Sequence, residues 1–437
     1  MNQTKRIAIY LFSYDGIASW CCGVGTVVRH FIHSMPVVAE HLQQHGLEVV
    51  FYAGTPFYNP KCTWYRSDIL NETHQICRSL SGDVLYQLNG THGDDMYVDV
   101  NQWQATSIGS ANQIINYFQK YDLNVVFVHD TPYCGVASVL FQQLSQYNNS
   151  NKPIIIWVPH STGVIHQLTR NENRYSWEKQ AVVDANTYAE CFVAHINDFM
   201  KNHLIQDYQA SLEKLVPLVN GFPLFETLNT SPAQAVINKY GLPTDRDIIF
   251  ATGRAAKYKG FEYLVEAFAA SQQNHDAELI LFLTSFATSQ TQGSYEDVIR
   301  LFQELKVRGR VINNFIPQED LRAIFRLPNV KAVVVPSLAE PFGMIPLEVR
   351  HWCNDNAPVI VCSQVDGLKE LIDHGKDGFL VDIHHTQEFA NILTHVINMS
   401  PEEKKDFSIR GKEKLEIRHN MPKNIVDSVL YTVSEHL

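Results

Sequence analysis

Short runs of apolar, mostly β-branched residues recur along the whole chain with helical stretches between them, and this alternation constrains the fold more than any other feature. Uninterrupted runs of about 4–8 such residues are typical of strands buried on both faces of a sheet. Their alternation with helices predicts an α/β fold with parallel sheets. The predicted strands are 6–12, 47–52, 124–128, 153–158, 191–194 and 215–219 in the first half of the chain, and 247–251, 278–283, 310–313, 332–335, 358–361 and 378–381 in the second.

The pattern of strands and helices begins afresh near Asp247, which indicates two domains. The chain has 437 residues. This is too long for one ordinary core and fits two domains of about 200 residues each. We place the hinge between the two domains within residues 220–245, where Asn220-Gly221-Phe222-Pro223 precedes a polar helix.

Polar side chains follow most of the predicted strands at the point where each strand ends. In open parallel sheets, ligands bind at the carboxyl ends of the strands. Loops are polar in any case, but the repetition over so many strands favours a binding site at this edge. The polar positions are His129-Asp130, His160-Ser161, His195, Asn220-Gly221, Gly253-Arg254, Thr284-Ser285, Pro336-Ser337 and Cys362-Ser363.

The composition excludes several classes of protein. A net charge of −11 disfavours nucleic acid as a partner. No apolar run of about 18 residues occurs, so no transmembrane segment is predicted, and the N-terminal residues suit a core strand better than a signal peptide. The eight cysteines form no C-x-x-C pair. They therefore predict reduced thiols in a cytoplasmic protein, with no zinc or redox site.

One segment, Pro336-Ser-Leu-Ala-Glu340-Pro-Phe-Gly343-Met-Ile-Pro346-Leu-Glu348, is predicted to run from a strand end into a helix. Pro346 suits only an early helical turn, where its missing N–H is not needed. Gly343 lets backbone amides approach a ligand, and the free N–H groups of a helix start can bind a diphosphate. Glu340 and Glu348 can accept hydrogen bonds from hydroxyls. Taken alone, a turn glycine and a glutamate that complements the helix dipole explain the segment equally well.

A second segment, Ile248-Ile-Phe-Ala-Thr-Gly253-Arg254-Ala-Ala-Lys-Tyr-Lys259-Gly260, is predicted to contain a strand, a loop and a helix start. Arg254 and Lys259 fall on the loop side, where two fixed cations can neutralise a diphosphate leaving group without a metal. The alternative is that both are solvated loop charges, and we interpret Lys257 in that way. No metal ion is predicted, because Asp245-Arg-Asp247 precedes a strand and indicates a turn.

The two segments give the pattern G-R-x-x-x-x-K-G, followed about eighty residues later by E-P-F-G-x-x-x-x-E, and residues 361–381 continue it with Asp366-Gly367 and Glu370. This order resembles the retaining GT-B glycosyltransferases related to glycogen synthases, sucrose-phosphate synthases and bacterial mannosyltransferases, the family 4-like superfamily. The resemblance covers most of residues 248–381. It implies two Rossmann-like domains that face a cleft: residues 1–222 for the acceptor and residues 223–415 for a nucleotide-sugar. The helix over residues 416–437 is then expected to cross back to the first domain.

The same resemblance assigns roles in the second domain. Arg254 and Lys259, after the turn at Gly253, are expected to stabilise the departing diphosphate. Glu340 is expected to bind the donor sugar and Glu348 the ribose hydroxyls. The backbone amides that help to bind the donor are those of Phe342, Gly343, Met344 and Ile345.

The first half of the chain resembles the family less strongly. Trp20-Cys-Cys-Gly23-Val-Gly25 is similar to the glycine-rich loop after the first strand, and His129-Asp130 is similar to a strand end at the cleft. His160 matches the histidine that the family places near the transferred sugar, although either histidine could be a satisfied loop residue. A lone G-x-G does not support a dinucleotide cofactor. The loop over residues 13–22 departs from the family pattern, so the acceptor is not specified.

The predicted function is therefore a metal-independent, retaining hexosyltransferase that needs no cofactor. Its donor is a nucleoside-diphosphate sugar, with UDP first and GDP and ADP behind it, and its acceptor is a small molecule, a saccharide or a lipid-linked hydroxyl compound. Retention of the anomeric configuration is implied by the resemblance. Two alternatives stay open: another nucleotide-sugar enzyme on the same fold, such as an epimerase or a phosphorylase, and a non-catalytic nucleotide-sugar binder.

Overall fold

The structure, a computed structural model, divides into two units. It describes residues 4–20, 22–56, 64–87, 99–145, 152–165, 171–224, 229–285, 294–353, 355 and 357–434. Unit 1 comprises Met1–Leu224 with His419–Leu437, and unit 2 comprises Phe225–Arg418.

Unit 1 is built on a parallel sheet of seven strands. They are β1 (Lys5–Phe12), β2 (Leu47–Pro56), β3 (Val84–Gln87), β4 (Leu123–His129), β5 (Ile154–Val158), β6 (Cys191–His195) and β7 (Leu215–Pro217). Their spatial order is β3-β2-β1-β4-β5-β6-β7. The direction of the strand order reverses between β1 and β4, and in open α/β sheets such a reversal leaves a crevice at the carboxyl ends of the two strands.

Six helices connect these strands, and their apolar faces cover the sheet. They are α1 (Gly23–Gln44), α2 (Ser67–Ser79), α3 (Val100–Tyr117), α4 (Val136–Leu144), α5 (Glu172–Thr187) and α6 (Asp198–Tyr208). Helix α1 shows the pattern, because its buried residues recur at a spacing of three and four positions. They include Val27, Val28, Phe31, Ile32, Met35, Val38 and Leu42.

Unit 2 repeats the plan with six parallel strands. They are β8 (Ile248–Arg254), β9 (Glu278–Thr284), β10 (Gly309–Ile312), β11 (Val330–Val335), β12 (Val359–Ser363) and β13 (Phe379–Val381), in the order β10-β9-β8-β11-β12-β13. The order here reverses between β8 and β11. The helices are α7 (Ala233–Tyr240), α8 (Phe261–Ser271), α9 (Ser294–Glu304), α10 (Gln318–Phe325), α11 (Met344–Trp352), α12 (Leu368–Leu371), α13 (Thr386–Asn398) and α14 (Pro401–Arg418).

The last helix, α15 (Met421–Val433), belongs to unit 1 and packs against α1. Its buried face includes Met421, Ile425, Val429 and Val433, which recur at a spacing of four. Backbone hydrogen bonds also fix its start, since the Phe222 amide donates to the His419 carbonyl at 2.8 Å and the Met421 amide donates to the Phe222 carbonyl at 3.1 Å. The final helix therefore completes the core of unit 1.

The predicted α/β class with two parallel sheets is confirmed, and each predicted run coincides with a strand. Strand β3 was not predicted. It has only four residues, Val-Leu-Tyr-Gln, and lies at the edge of the sheet, so it lacks the long apolar run that marks the central strands. None of the helices in the described ranges is both long and apolar enough to span a bilayer. The six described cysteines are free thiols, and Cys21 and Cys62 lie outside the described residues.

A buried ion pair fixes α11 within unit 2. Arg350 on α11 lies 3.0 Å from the Asp377 carboxylate, and each of the two side chains is only 2% exposed. The guanidinium also donates to the Leu371 carbonyl at 2.8 Å. Burial raises the pKa of Asp377, and the Arg350 charge offsets part of that effect. Asp377 is therefore the counter-ion of the buried Arg350 guanidinium, and Lys414 Nζ lies further from the same carboxylate, at 3.8 Å.

We expect Asp377→Asn to lower the free energy of unfolding by about 3 kcal/mol, because it leaves the Arg350 charge buried without its counter-ion. The matched control is Asp297→Asn, which removes the partner of Arg300 from an exposed pair at 3.1 Å and should leave stability unchanged within error. The shift in urea midpoint measures both. Equal midpoints for the two variants would contradict the assignment.

Candidate active site

The closest contact among the predicted site residues joins Lys259 and Glu340 in unit 2. Lys259 Nζ donates to Glu340 Oε2 at 2.6 Å. The two side chains are only 21% and 15% exposed. Burial opposes the charge on Lys259, but the Glu340 carboxylate and Tyr258 outweigh it and raise the pKa of the ammonium group above its ordinary value. The lysine is therefore charged at neutral pH.

A tyrosine lies between the two predicted cations. Arg254, at the exposed end of β8, donates from its guanidinium to Tyr258 Oη at 2.5 Å. The Tyr258 ring centroid is 5.9 Å from the Arg254 guanidinium carbon and 5.4 Å from Lys259 Nζ. Cations at such distances are attracted to the face of an aromatic ring. Tyr258 was not predicted as a site residue, although its place between two lysines was a usable signal.

Gly260 brings the loops after β8 and β11 together. It has φ = +64° and caps α8. A Cβ atom at this position would lie 2.1 Å from the Pro336 carbonyl oxygen, so no other residue fits without moving the backbone. This close approach allows Lys259 to reach Glu340 across the end of the sheet.

Gly343 begins α11 with φ = +91°. A Cβ atom there would lie 2.5 Å from a methyl group of Leu368. The amides of Met344 and Ile345 occupy the first helical turn, where N–H groups have no acceptor within the helix. Phe342, just before the turn, is buried. Helix α11 therefore begins at the residues whose backbone amides the sequence predicts to bind the donor.

The loop that carries Glu340 is fixed by the segment after β12. The Asp366 carboxylate accepts a hydrogen bond from the Glu340 amide at 2.9 Å. In turn, the Gly367 amide donates to the Glu340 carbonyl at 3.1 Å. Two backbone groups of Glu340 are thus engaged, which orients its side chain toward Lys259.

Glu348 lies on α11 and is 7% exposed. Burial raises the pKa of its carboxyl group to about 7, although the positive charge of Arg322 opposes the rise. Within the described residues, no hydrogen bond to this carboxylate is found. A buried acid with this environment can accept ligand hydroxyls, which would stabilise its charged form.

In unit 1, the predicted histidines form a pair. His129 Nδ1 and His160 Nε2 are 2.9 Å apart, and the two rings stack with centroids 5.1 Å apart. Burial, together with the neighbouring His160, holds the pKa of His129 well below its usual range. Burial lowers the pKa of His160 to about 4. Both rings are therefore neutral at pH 7, and one of them donates to the other.

Asp130 follows β4 in an unusual backbone conformation. Its φ is +65°, and its side chain is 2% exposed. The carboxylate lies 3.7 Å from the guanidinium of Arg174. Its amide donates to the Val158 carbonyl at 2.9 Å, which binds it to the end of β5. Such strained non-glycine residues persist only where the surroundings hold them, and they concentrate at functional sites.

The loop before α1 contains a residue that sequence reasoning missed. Asp15 is fully buried, and its carboxylate accepts from the amides of Gly16 and Cys22, each at 3.0 Å. A Cβ atom on Gly25 would lie 2.5 Å from the same carboxylate, whereas Gly23 is exposed and faces open space. The chain therefore supplies its own anion to this helix start. The atypical loop over residues 13–22 was the available signal.

The predicted residues thus fall into separate groups. In unit 2, Arg254, Lys259, Glu340 and Gly343 share one neighbourhood, and Gly253 lies in β8 beside it. Glu348 lies further along α11. In unit 1, His129, Asp130 and His160 are adjacent at the ends of β4 and β5. The described part of the chain contains no group of three or more His, Cys, Asp or Glu side chains that could hold a metal ion.

Comparison with known proteins gives a family match for part of the chain. Residues 233–414 match the family of glycosyl transferases group 1. A similar curated protein is the alpha-maltose-1-phosphate synthase of Mycolicibacterium smegmatis, which is 24% identical over 274 residues, 61% of this chain and 66% of that protein. The chain spans 66% of the length of this relative and about half of the length of others that it matches, at 48% and 46%.

Similar solved structures extend the likeness in fold to nearly the whole chain. Sucrose-phosphate synthase from Thermosynechococcus elongatus aligns over 98% of both chains with a TM-score of 0.68 and 20% identity. The Anabaena protein HepE, solved in complex with UDP-glucose, aligns over 98% of this chain and 100% of that chain, with a TM-score of 0.66 and 16% identity. Residues 233–414 thus match a family of glycosyl transferases, and the two parallel-sheet units have the GT-B fold of the similar structures.

Proposed function

We propose that this protein is a metal-independent, retaining glycosyltransferase that moves a hexose-type sugar from a nucleoside-diphosphate sugar to a hydroxyl acceptor. The observation that carries the proposal is the cationic neighbourhood of unit 2. A charged Lys259 and an exposed Arg254 flank Tyr258, next to the loop that leads into α11. Two cations beside a helix start are suited to binding a phosphorylated ligand.

In this mechanism the cations stabilise the leaving group. Breaking the bond between sugar and diphosphate concentrates negative charge on the diphosphate oxygens. Arg254 and Lys259 supply compensating charge from fixed positions, with the amides of Met344 and Ile345 as further donors. Charge stabilisation of this kind, from groups already in place, is the largest contribution in many enzymes. A divalent cation is then not needed for the same task.

Glu340 has two roles in the proposal. Its carboxylate orients Lys259 through the 2.6 Å hydrogen bond, and it accepts hydrogen bonds from hydroxyls of the donor sugar. Glu348 binds the ribose hydroxyls, because its buried carboxylate lacks a described hydrogen-bond donor and gains one or two on binding. The two acids therefore serve different parts of the same donor.

Unit 1 is proposed to bind the acceptor. His160 is neutral at pH 7, so it can exchange a hydrogen bond with a sugar hydroxyl without placing a charge there. Asp130, at the neighbouring strand end, is a second hydrogen-bond acceptor. For the reaction itself we propose that the acceptor attacks the face of the sugar from which the diphosphate departs, which retains the anomeric configuration.

UDP is the proposed nucleotide, with GDP and ADP behind it. Two proteins of similar fold support this order. HepE was solved with UDP-glucose, and an Escherichia coli protein described as trehalose-6-phosphate was solved with UDP-2-fluoro glucose. The names of the curated relatives include a maltose-1-phosphate synthase and inositol 3-phosphate glycosyltransferases, which supports sugar transfer as the reaction.

The proposal is tested by measuring transfer of labelled sugar to a panel of hydroxyl acceptors in the presence of EDTA. The donors are UDP-glucose, GDP-mannose and ADP-glucose, each labelled in the sugar. We expect transfer of an α-linked sugar from UDP-glucose at an undiminished rate. Activity that is lost on chelation and restored by Mn²⁺ would contradict metal independence. Donor binding without product would indicate a binder, and isomerisation of the sugar would indicate an epimerase.

Mutation of Glu340 and mutation of Glu348 are predicted to have different effects on UDP affinity and on turnover. Glu348→Gln should weaken UDP binding by at least about tenfold at alkaline pH, because a hydrogen bond to a charged group contributes about 1.5–3 kcal/mol. Glu340→Gln should leave UDP affinity unchanged or raise it, because Lys259 loses its counter-ion, while turnover of UDP-glucose falls. Calorimetry with UDP and initial rates with UDP-glucose measure these effects. Equal losses of UDP affinity in both variants would refute the assignment.

The raised pKa of Glu348 predicts a pH dependence of donor binding. Below a pKa of about 7 the carboxyl group of the free protein is protonated. Ribose hydroxyls favour the charged form, so UDP-glucose affinity should rise from about pH 6 to about pH 8 and then level off. The diphosphate of UDP-glucose does not titrate in this range. The Glu348→Gln variant should show a flat profile, and a slope like that of the wild type would assign the titration to another group.

A further inference from the structure

A buried carboxylate in unit 1 gathers four hydrogen-bond donors. Glu178, on α5, is fully buried. Its Oε1 accepts from Thr131 Oγ1 and Arg174 Nε, each at 2.7 Å. Its Oε2 accepts from the Gly163 amide at 2.9 Å and from Tyr208 Oη at 2.7 Å. Each of the two carboxylate oxygens is therefore within hydrogen-bond distance of two donors.

Arg174, one turn before Glu178, extends the contacts to the same two strand ends. Its Nε is also 2.9 Å from Thr131 Oγ1. A terminal nitrogen donates to the carbonyl oxygen of Ser161 at 3.0 Å and to its hydroxyl at 3.1 Å. That nitrogen is 3.7 Å from the Asp130 carboxylate. One guanidinium therefore contacts residues that follow β4 and residues that follow β5.

The residues held in this way are direct neighbours of the proposed acceptor-side groups. Thr131 follows Asp130, whose backbone is strained at φ = +65°. Ser161 follows His160. Since His129 and His160 meet across the gap between the same two strand ends, any shift of one segment changes the 2.9 Å contact between the rings. Strain at Asp130 also requires that its surroundings over-determine its position.

We propose that Glu178 and Arg174 are positioning residues, which lock the segments over residues 129–131 and 160–163 together and so set the His129–His160 pair and the Asp130 carboxylate for the acceptor-side chemistry. This inference rests on the proposed function for its catalytic consequence. Neither residue was predicted from the sequence. Their spacing of four, which places opposite charges on one helix face, was the available signal.

The alternative is that Glu178 and Arg174 only stabilise the core. A second acid on the same helix provides a control that distinguishes a structural role from a positioning role. Asp184 is 4% exposed and also lies on α5. It accepts from Gln180 at 3.0 Å and from Ser138 on α4, so none of its described hydrogen bonds involves the two strand-end segments. Asp184→Asn therefore makes the same chemical change in the same helix, away from them.

The test compares Glu178→Gln with Asp184→Asn in the full-length protein. UDP-glucose turnover is measured as UDP release with water as acceptor. We expect Glu178→Gln to reduce turnover by about 10- to 100-fold, as small misplacements of reacting groups do. UDP affinity should stay within about twofold, because UDP is proposed to bind unit 2. Asp184→Asn should match the wild type in both measurements.

The nitrogen-15 chemical shifts of the imidazoles distinguish the two roles, because a purely structural role of Glu178 predicts no change in them. Glu178→Gln should shift the His129 and His160 resonances, because the hydrogen bond between them changes, and Asp184→Asn should not. Unchanged imidazole signals in Glu178→Gln, or an equal loss of turnover in both variants, would overturn the inference. If Glu178→Gln does not fold, Thr131→Val removes one donor at nearly constant volume and should shift the same resonances.

The two proposals can fail separately. If the wild type releases no UDP from UDP-glucose and binds no UDP, the proposed function is wrong, and the imidazole spectra still decide whether Glu178 sets the histidine pair. If the wild type is active and the spectra of Glu178→Gln are unchanged, the positioning role is wrong and the proposed function stands.

Discussion

The contact between the loops after β8 and β11 is the constraint on which the chemistry of unit 2 depends. These strands are neighbours at the point where the strand order reverses, so no connecting helix lies between their carboxyl ends. Gly260 lets the two backbones approach to a distance that a side chain would forbid. Lys259 and Glu340, 81 positions apart, meet at 2.6 Å as a result. The helix start at Gly343 follows three residues later, which places amides beside the ion pair.

The ionisable side chains at the carboxyl ends of the strands differ in charge between the two units. Unit 2 keeps its lysine charged, because a carboxylate compensates for partial burial. Unit 1 keeps its histidines neutral, because burial disfavours the imidazolium form. Among the described residues at this edge, the guanidinium of Arg174 is engaged by Glu178 and approaches Asp130. An anion is therefore attracted to the described loops of unit 2, whereas the described strand ends of unit 1 offer neutral donors and acceptors.

The fold could be predicted because apolar runs in the sequence identify the strands. The contacts within the candidate site could not be predicted, because they join residues that are far apart in the chain. Strands β4 and β11 are continuous apolar runs, and such runs need no knowledge of partners. The formation of strand β3 depends on its pairing with β2, and its sequence lacks a long apolar run. The segments around Lys259 and Glu340 were found by spacing, but their mutual hydrogen bond was not, since nothing local couples two residues so far apart. Glu178 was missed for the same reason, because three of its four donors come from elsewhere in the chain, at Thr131, Gly163 and Tyr208.

Asp15 has a consequence for how selectivity in unit 1 can change. Helix starts attract phosphate because their amides lack acceptors. Here the Cys22 amide and the Ser19 hydroxyl are already bound by an internal carboxylate that is shielded from water. A phosphate ester that approaches α1 would meet a like charge in place of open donors. Shortening this side chain, as in Asp15→Gly, removes the internal anion and leaves the amides at the start of α1 open to an external one, so the loop over residues 13–22 controls whether this helix start is self-capped or receives an anion.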